Sequence, residues 1–230
     1  MTEHVLPGDP PINLVLRRSA RARRYSLRVS RLDGRVTLTL PAHAPESKAL
    51  DFAHEKAGWI RQRLAERPGE VIVAHGTVLP VFGQPLRVVP GTRSGLAPED
   101  GQIAVSRRAK SVSATVCGLL KARARDALAA ASDGYAQKLG RSYTRITLRD
   151  TRSRWGSCSS DGALMFSWRL ILAPPEVLDY VAAHEVAHLA EMNHGARFWA
   201  TVERLMPDYR THRHWLRHNG EQLHRYRFPD

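Results

Sequence analysis

Cysteine is almost missing from this chain: Cys117 and Cys158 are the only two in 230 residues. Two thiols cannot build the disulfide framework of a small secreted domain, and they fit a reducing compartment. Long apolar runs are missing as well. None approaches the roughly eighteen consecutive apolar residues a membrane span needs, and residues 1–11 lack the basic start and apolar core of a secretory signal. The expected location is therefore the cytoplasm, with no membrane partner. Acidic residues are scarce beside basic ones: 22 Asp and Glu face 35 Lys and Arg, leaving a net charge of +13. Such a surplus draws polyanions, nucleic acid among them, in a salt-dependent way, and it serves equally as a solvated basic surface. Repeats and low-complexity tracts are absent, which excludes a solenoid. The 43% apolar content is that of a folded chain of one large or two small domains.

What is present begins with strands. Over 12–40, Leu14 and Leu16, then Tyr25, Leu27 and Val29, then Val36, Leu38 and Leu40 alternate with polar residues, and Asp33-Gly34 signals a hairpin turn. The polar positions are dominated by arginine, from Arg17 and Arg18 through Arg28 and Arg31. Arg21, Arg23 and Arg24 make this face the first candidate for nucleic-acid binding, although charge on an exposed strand edge also keeps it soluble. Residues 47–66 read as one amphipathic helix with Leu50, Ala53, Ala57, Ile60 and Leu64 inward and Trp59 packing at its edge. Short strands return over 71–89, with Val78, Leu86 and Val88 as buried positions, then a Gly-, Pro- and Ser-containing loop over 91–101 and a strand at 103–105.

A long helix follows over 111–139, closed by Gly140. Residues 143–148 and 163–172 read as strands around a loop containing Arg152-Ser153-Arg154-Trp155-Gly156-Ser157-Cys158-Ser159. The fold class expected is α+β: a β-rich basic region with one helix over 1–108, then a helical part with a small antiparallel sheet over 109–230.

The chemistry concentrates in 178–199, L-D-Y-V-A-A-H-E-V-A-H-L-A-E-M-N-H-G-A-R-F-W. Within it His184-Glu185-Val186-Ala187-His188 is the HExxH pattern of zinc peptidases, which makes 109–230 the expected zincin-like catalytic part. Residues four apart on a helix are rotated only about 40°, so the two imidazoles can share one ion. Glu185 falls roughly 60° from His188, near enough to touch a water on that ion without ligating it. A catalytic zinc takes three protein ligands and keeps a position for water, and His194 is the obvious third. The spacing is that of metzincins, but Glu191 stands where they place glycine. Asn193 and Gly195 tolerate left-handed backbone and are expected to end the helix and return His194 to the metal. Pro175 is placed to open the helix. The helix is apolar on nearly every side, and two His and a Glu buried there are costly unless paired or metal-bound.

The remaining candidates carry ordinary packing or surface roles as their alternatives. Arg154, Tyr180, Tyr209 and His212 are candidate oxyanion donors, and Arg152 or Arg154 could orient the site. Cys158 is a candidate ligand or inhibitory thiolate, or a small buried residue after a Gly-Ser turn. Phe198, Trp199, Val202 and Leu205 continue a helical pattern beneath the metal helix. His212, His214, His218 and His224 invite a second metal site, but only His214 and His218 are i, i+4 partners, and a basic helix anchored by Trp215 and Leu216 explains them.

The segments S-R-W-G-S-C, W-R-L-I-L-A-P-P-E-V-L-D-Y-V-A-A-H-E-V-A-H-L and N-H-G-A-R-F-W resemble the YgjP-like metallopeptidase family, a relative of the SprT-like proteases. The arginine-rich opening and the helix ending in W-I-R-Q-R-L resemble that family's N-terminal half. The resemblance implies a zinc metalloendopeptidase with one Zn²⁺ per chain on His184, His188 and His194, and Glu185 as general base. It implies a protein or peptide substrate; SprT-like relatives act on proteins crosslinked to DNA, an analogy that would employ the positive charge. The competing expectation is a nucleic-acid-binding protein with a structural zinc.

Overall fold

A computed structural model describes residues 2–30, 34–66 and 69–229. The chain divides into two compact units, Met1–Gly69 and Glu70–Asp230. The first holds strands β1 (Thr2–Leu6), β2 (Ile12–Ser19), β3 (Ser26–Val29) and β4 (Val36–Pro41), then helices α1 (Glu46–Glu55) and α2 (Ala57–Ala65). The sheet runs β1-β2-β4-β3, with β2 and β4 parallel and the other pairs antiparallel. The alternation read from the sequence is that of the fold: Ile12, Leu14, Leu16, Val36, Leu38 and Leu40 are buried with Ala49, Ala53 and Ile60 of the helices. Each such aliphatic side chain withdrawn from water contributes about 1.5–3 kcal/mol. Arg31 and Asp33 lie outside the described residues, while Gly34 is left-handed with φ 71°.

Three local expectations change here. Residues 47–66 form two helices, not one, because Lys56 leaves helical geometry at φ −91°, ψ 4°. Trp59 is 41% exposed, with Arg63 over its ring, rather than packed at an edge. Strand β1 was not expected at all.

In the second unit, β5 (Val71–Ile72) pairs with β13 (Tyr226–Arg227), and β6 (Val78–Val81), β7 (Gln84–Gly91), β8 (Gly95–Ala97) and β9 (Gln102–Ser106) form a sheet in the order β6-β7-β9-β8. In β6 the inward set is Leu79 and Val81, and Val78 faces out, one residue off the expected register. The long helix α3 (Val112–Leu139) starts on Ser111, whose Oγ accepts from the Ala114 amide, and ends on left-handed Gly140. Then come β10 (Arg145–Arg149), β11 (Gly156–Cys158) and β12 (Ala163–Ser167) in the order β10-β12-β11. The two strands expected to form a small antiparallel sheet, β10 and β12, pair in parallel, and the antiparallel partner of β12 is β11, in a segment expected as loop. Residues 168–172, expected as strand, form a 3-10 turn. Helices α4 (Pro175–Ala187), α5 (Ala196–Leu205) and α6 (Tyr209–Asn219) complete the unit.

The division falls at 69/70 rather than at the expected 108/109 for a packing reason. Leu79, Val81, Leu86, Val88, Ile103 and Val105 of the β6–β9 sheet share one continuous core with Val116, Leu120, Phe166 and Val181. Among the described residues, no helix is long and apolar enough to cross a membrane.

Candidate metal centre

Helix α4 positions the site. Pro174 ends the preceding segment, and Pro175 occupies the first turn, where a missing N–H costs nothing. Val177, Leu178, Val181, Ala182, Ala183, Val186 and Ala187 are all buried, so the helix is surrounded by α3, α5, α6 and β11 instead of lying on the surface. That leaves His184, Glu185 and His188 little freedom of orientation.

The helix stops immediately after the second histidine. Amides of Leu189, Ala190 and Glu191 donate back to carbonyls of Val186 and Ala187 in tight turns. The expected left-handed residues are not used: Gly195 has φ −79° and caps α5, and no residue of 188–195 has positive φ. The reversal comes from the turn at 188–191, which lets an acidic residue stand where glycine was thought necessary.

The reversal brings His194 to the first two imidazoles. One nitrogen of each ring lies within 4.8 Å of the others, and among the described residues this is the only such group of three His, Cys, Asp or Glu. Nε2 of His194 and Nε2 of His184 are 3.1 Å apart. Two nitrogens on a tetrahedral zinc, each about 2.05 Å from the ion, are about 3.3 Å apart, so the spacing fits a shared ion. Nδ1 of His188 lies 3.0 Å from the Glu191 carbonyl. A carbonyl only accepts, so Nδ1 carries the proton and the lone pair is left on Nε2. Burial pushes His184 down to about 3, assisted by its two histidine neighbours, which keeps it in the neutral form that ligates metal. The Phe198 ring forms an apolar floor, 4.9, 4.4 and 4.7 Å from the three imidazole centres. The residues present therefore fit a metal ion.

Glu185 sits on the same helix at 5% exposure. Burial pushes its carboxyl up to about 8, against the opposing pull of the Arg154 charge. Against it lies the backbone of Gly156 in β11: a methyl group there would fall 2.5 Å from Oε1 and 2.6 Å from Cγ of Glu185. The sequence suggested only a loop in this place; an isolated glycine between Trp155 and Ser157 is the signal of close backbone approach that could have been read.

The other candidates are distributed unevenly. Tyr180 is buried with its ring 5.9 Å from His184, and burial pushes its hydroxyl up to about 12. Tyr209 stacks on Tyr180 at 6.4 Å and on Trp199 at 5.5 Å. Cys158, half-buried on β11, has its thiol raised to about 11 by burial and then by Glu185. Arg154 is exposed. His212 is 2.9 Å from the Asp208 carboxylate. His224 is buried against Trp155, with ring centres 5.1 Å apart, and the His214 and His218 rings lie 4.0 Å apart without a third ligand. Cys117 and Cys158 are free thiols. Arg21, Arg23 and Arg24 are exposed in the segment between β2 and β3, in the first unit. Arg213, not singled out from sequence, lies over the Trp199 ring.

A buried helix that offers two imidazoles four residues apart, meets a third after a tight turn and carries a carboxyl between them has the architecture of a metallopeptidase. Residues 23–219 match the YgjP-like, metallopeptidase domain family, and the chain belongs to that family. Among solved structures, the metallopeptidase zymogen abylysin of Pyrococcus abyssi matches at 22% identity, over 43% of this chain and 93% of that one, with a TM-score of 0.34. A comparison with curated proteins finds no match. The family and the three-histidine group together point to a bound metal ion and to a protein or peptide substrate.

Proposed function

We propose that this chain is a zinc-dependent endopeptidase whose ion is held by His184, His188 and His194. The observation that carries the reading is the convergence of three imidazole nitrogens beside a buried carboxyl on one helix. Zinc, when bound there, supplies Lewis acidity, lowering the pKa of a bound water towards about 7. The positive charge of a bound ion would favour the carboxylate form of Glu185, which would then take the proton released as water attacks the scissile carbonyl and hand it to the departing amine as the C–N bond breaks. Gly156 leaves room for that carboxyl, and Phe198 closes the site from beneath. Tyr180, its hydroxyl protonated at neutral pH and its ring 5.9 Å from that of His184, is assigned the donor role toward the developing oxyanion.

The test combines metal content with cleavage. Purified protein should contain about one zinc per chain, and His194→Ala should hold much less. Glu185→Ala should keep its zinc and lose peptide cleavage, by about 10²-fold or more. Cleavage that persists in Glu185→Ala would remove the mechanism, and a structural zinc would then be the better reading.

A further inference from the structure

Arg213 is unlike the other arginines of its helix. Its guanidinium carbon is 4.3 Å from the centre of the Trp199 ring. That ring lies 5.7 Å from His184 and 5.9 Å from His194, so one indole separates the cation from two of the three imidazoles. Trp199 is held in place from its own side by Tyr209, nearly parallel at 17°. Arg213 is half-buried, yet among the described residues no carboxylate or carbonyl accepts from it. Arg210, one turn earlier, is by contrast paired with Glu203 and bonded to Tyr209.

The physical consequence concerns the donors. An arginine carries five N–H donors in a planar fork that matches a carboxylate in two-point contact. A ring face steadies the cation but accepts none of those hydrogen bonds in the plane of the fork. A half-buried guanidinium that no protein group accepts from keeps its donors open to water, and those donors are available to an anionic ligand. Arg217, one turn further along α6, adds a second positive charge felt at Tyr180, as that of Arg213 is. Acidic groups of this part of the chain do not reach it: Asp208 pairs with His212 and Glu203 with Arg210.

We propose that Arg213, held across Trp199, is a carboxylate-binding subsite beside the metal centre, so that preferred substrates carry an acidic group within about three residues of the scissile bond. The reading rests on the peptidase function proposed above. The two legs through the indole, 4.3 and 5.7 Å, span at most about 10 Å, and an extended peptide advances about 3.3 Å per residue, so the acidic group lies within about three positions of the bond held at the metal. The carboxylate comes either from an Asp or Glu side chain or from the peptide's own C-terminus.

The test uses binding, so that it does not depend on turnover. Fluorescent alanine-based peptides with one Glu or Gln moved along the sequence, each as free acid and as C-terminal amide, are titrated into metal-loaded full-length Glu185→Ala protein. One acidic position should bind about tenfold or more tightly than its neutral match. Loss of that advantage on amidation identifies the terminal carboxylate as the source; loss on Glu to Gln exchange identifies the side chain. Adding Arg213→Gln should erase the preference, and Arg213→Lys should keep part of it, with circular dichroism and metal content unchanged. Equal binding of acidic and neutral peptides, or a preference that survives Arg213→Gln, overturns the subsite. Failure of metal-loaded parent protein to cut any of these peptides would count against the peptidase reading alone, because the binding series is read separately.

Discussion

At the scale of single residues the most restrictive contact is between Gly156 and Glu185. A buried carboxyl has few rotamers available, and here one side of it is closed by a strand backbone that approaches because residue 156 has no Cβ. Gly156→Ala would push three Glu185 side-chain atoms from their positions, whereas the histidines face other neighbours. We expect this variant to retain its metal and to lose about 10²-fold in kcat, as displacements near 1 Å do in preorganised sites. In the Glu185→Ala background the same change should add nothing, and steady-state kinetics of the two single variants and the double variant measure that non-additivity. Independent, additive losses would mean that Gly156 acts through the sheet and not through Glu185. The spacing of His184, Glu185 and His188 was legible in sequence because helix rotation alone sets it, whereas the turn that returns His194 was not the one expected. Gly156 offered only the generic signal of an isolated glycine, and Arg213 none, because the carboxyl that one admits and the indole that the other covers belong to other elements.

Elements of the second unit are tied together by another buried charge. Arg169, at the 3-10 turn after β12, is 5% exposed and grips Asp150 with two hydrogen bonds of 2.6 and 3.0 Å. Its remaining nitrogen donates to the carbonyls of Leu223 and Tyr226, so one side chain joins the end of β10 to the C-terminal segment carrying β13. Removing the carboxylate leaves the guanidinium buried and half-satisfied. Because Asp150 is half open to water, Asp150→Ala should cost about 2 kcal/mol, the low side for a buried pair. That corresponds to a loss of about 4–8 °C in Tm. Burial alone would raise the Asp150 carboxyl, but the Arg169 hydrogen bonds and charge outweigh it and hold it below the usual carboxylate range. A carboxyl depressed in the folded state stabilises above its unfolded pKa, about 3.9, and loses that contribution as pH falls through the folded value. The Tm gap between parent and Asp150→Asn should therefore be full at neutral pH and close below about pH 4; a gap constant with pH would separate the pair from stability. Element types over 12–40, 111–139 and 175–187 could be read from periodicity and caps. The 3-10 turn at 168–172 could not: its apolar residues are buried all round, and an unbroken apolar run does not distinguish strand from turn.

For the whole molecule the relevant quantities are the two separate cores and the sum of charge. The boundary expected from sequence missed the first because composition does not say which core a strand joins. The β6–β9 sheet reads like the strands of the first unit, yet its inward face completes the core around α3 and α4. The second quantity, +13, is a property of the chain and not of any one cluster. A field of that sign raises the encounter rate of acidic ligands and is screened over about 10 Å at 0.1 M salt. If it serves catalysis, kcat/KM for an acidic peptide should fall several-fold between about 0.02 and 0.3 M salt, while a neutral analogue of the same length should hardly change. Arg213 and the global charge then separate cleanly: Arg213→Gln should remove the part of the preference that depends on the position of the acidic group, by the same factor at every salt concentration because it removes a contact, and leave the slope contributed by distant arginines. A salt slope that vanishes with Arg213 would assign the whole effect to that contact, and equal slopes for acidic and neutral peptides would leave the net charge without a part in choosing substrate.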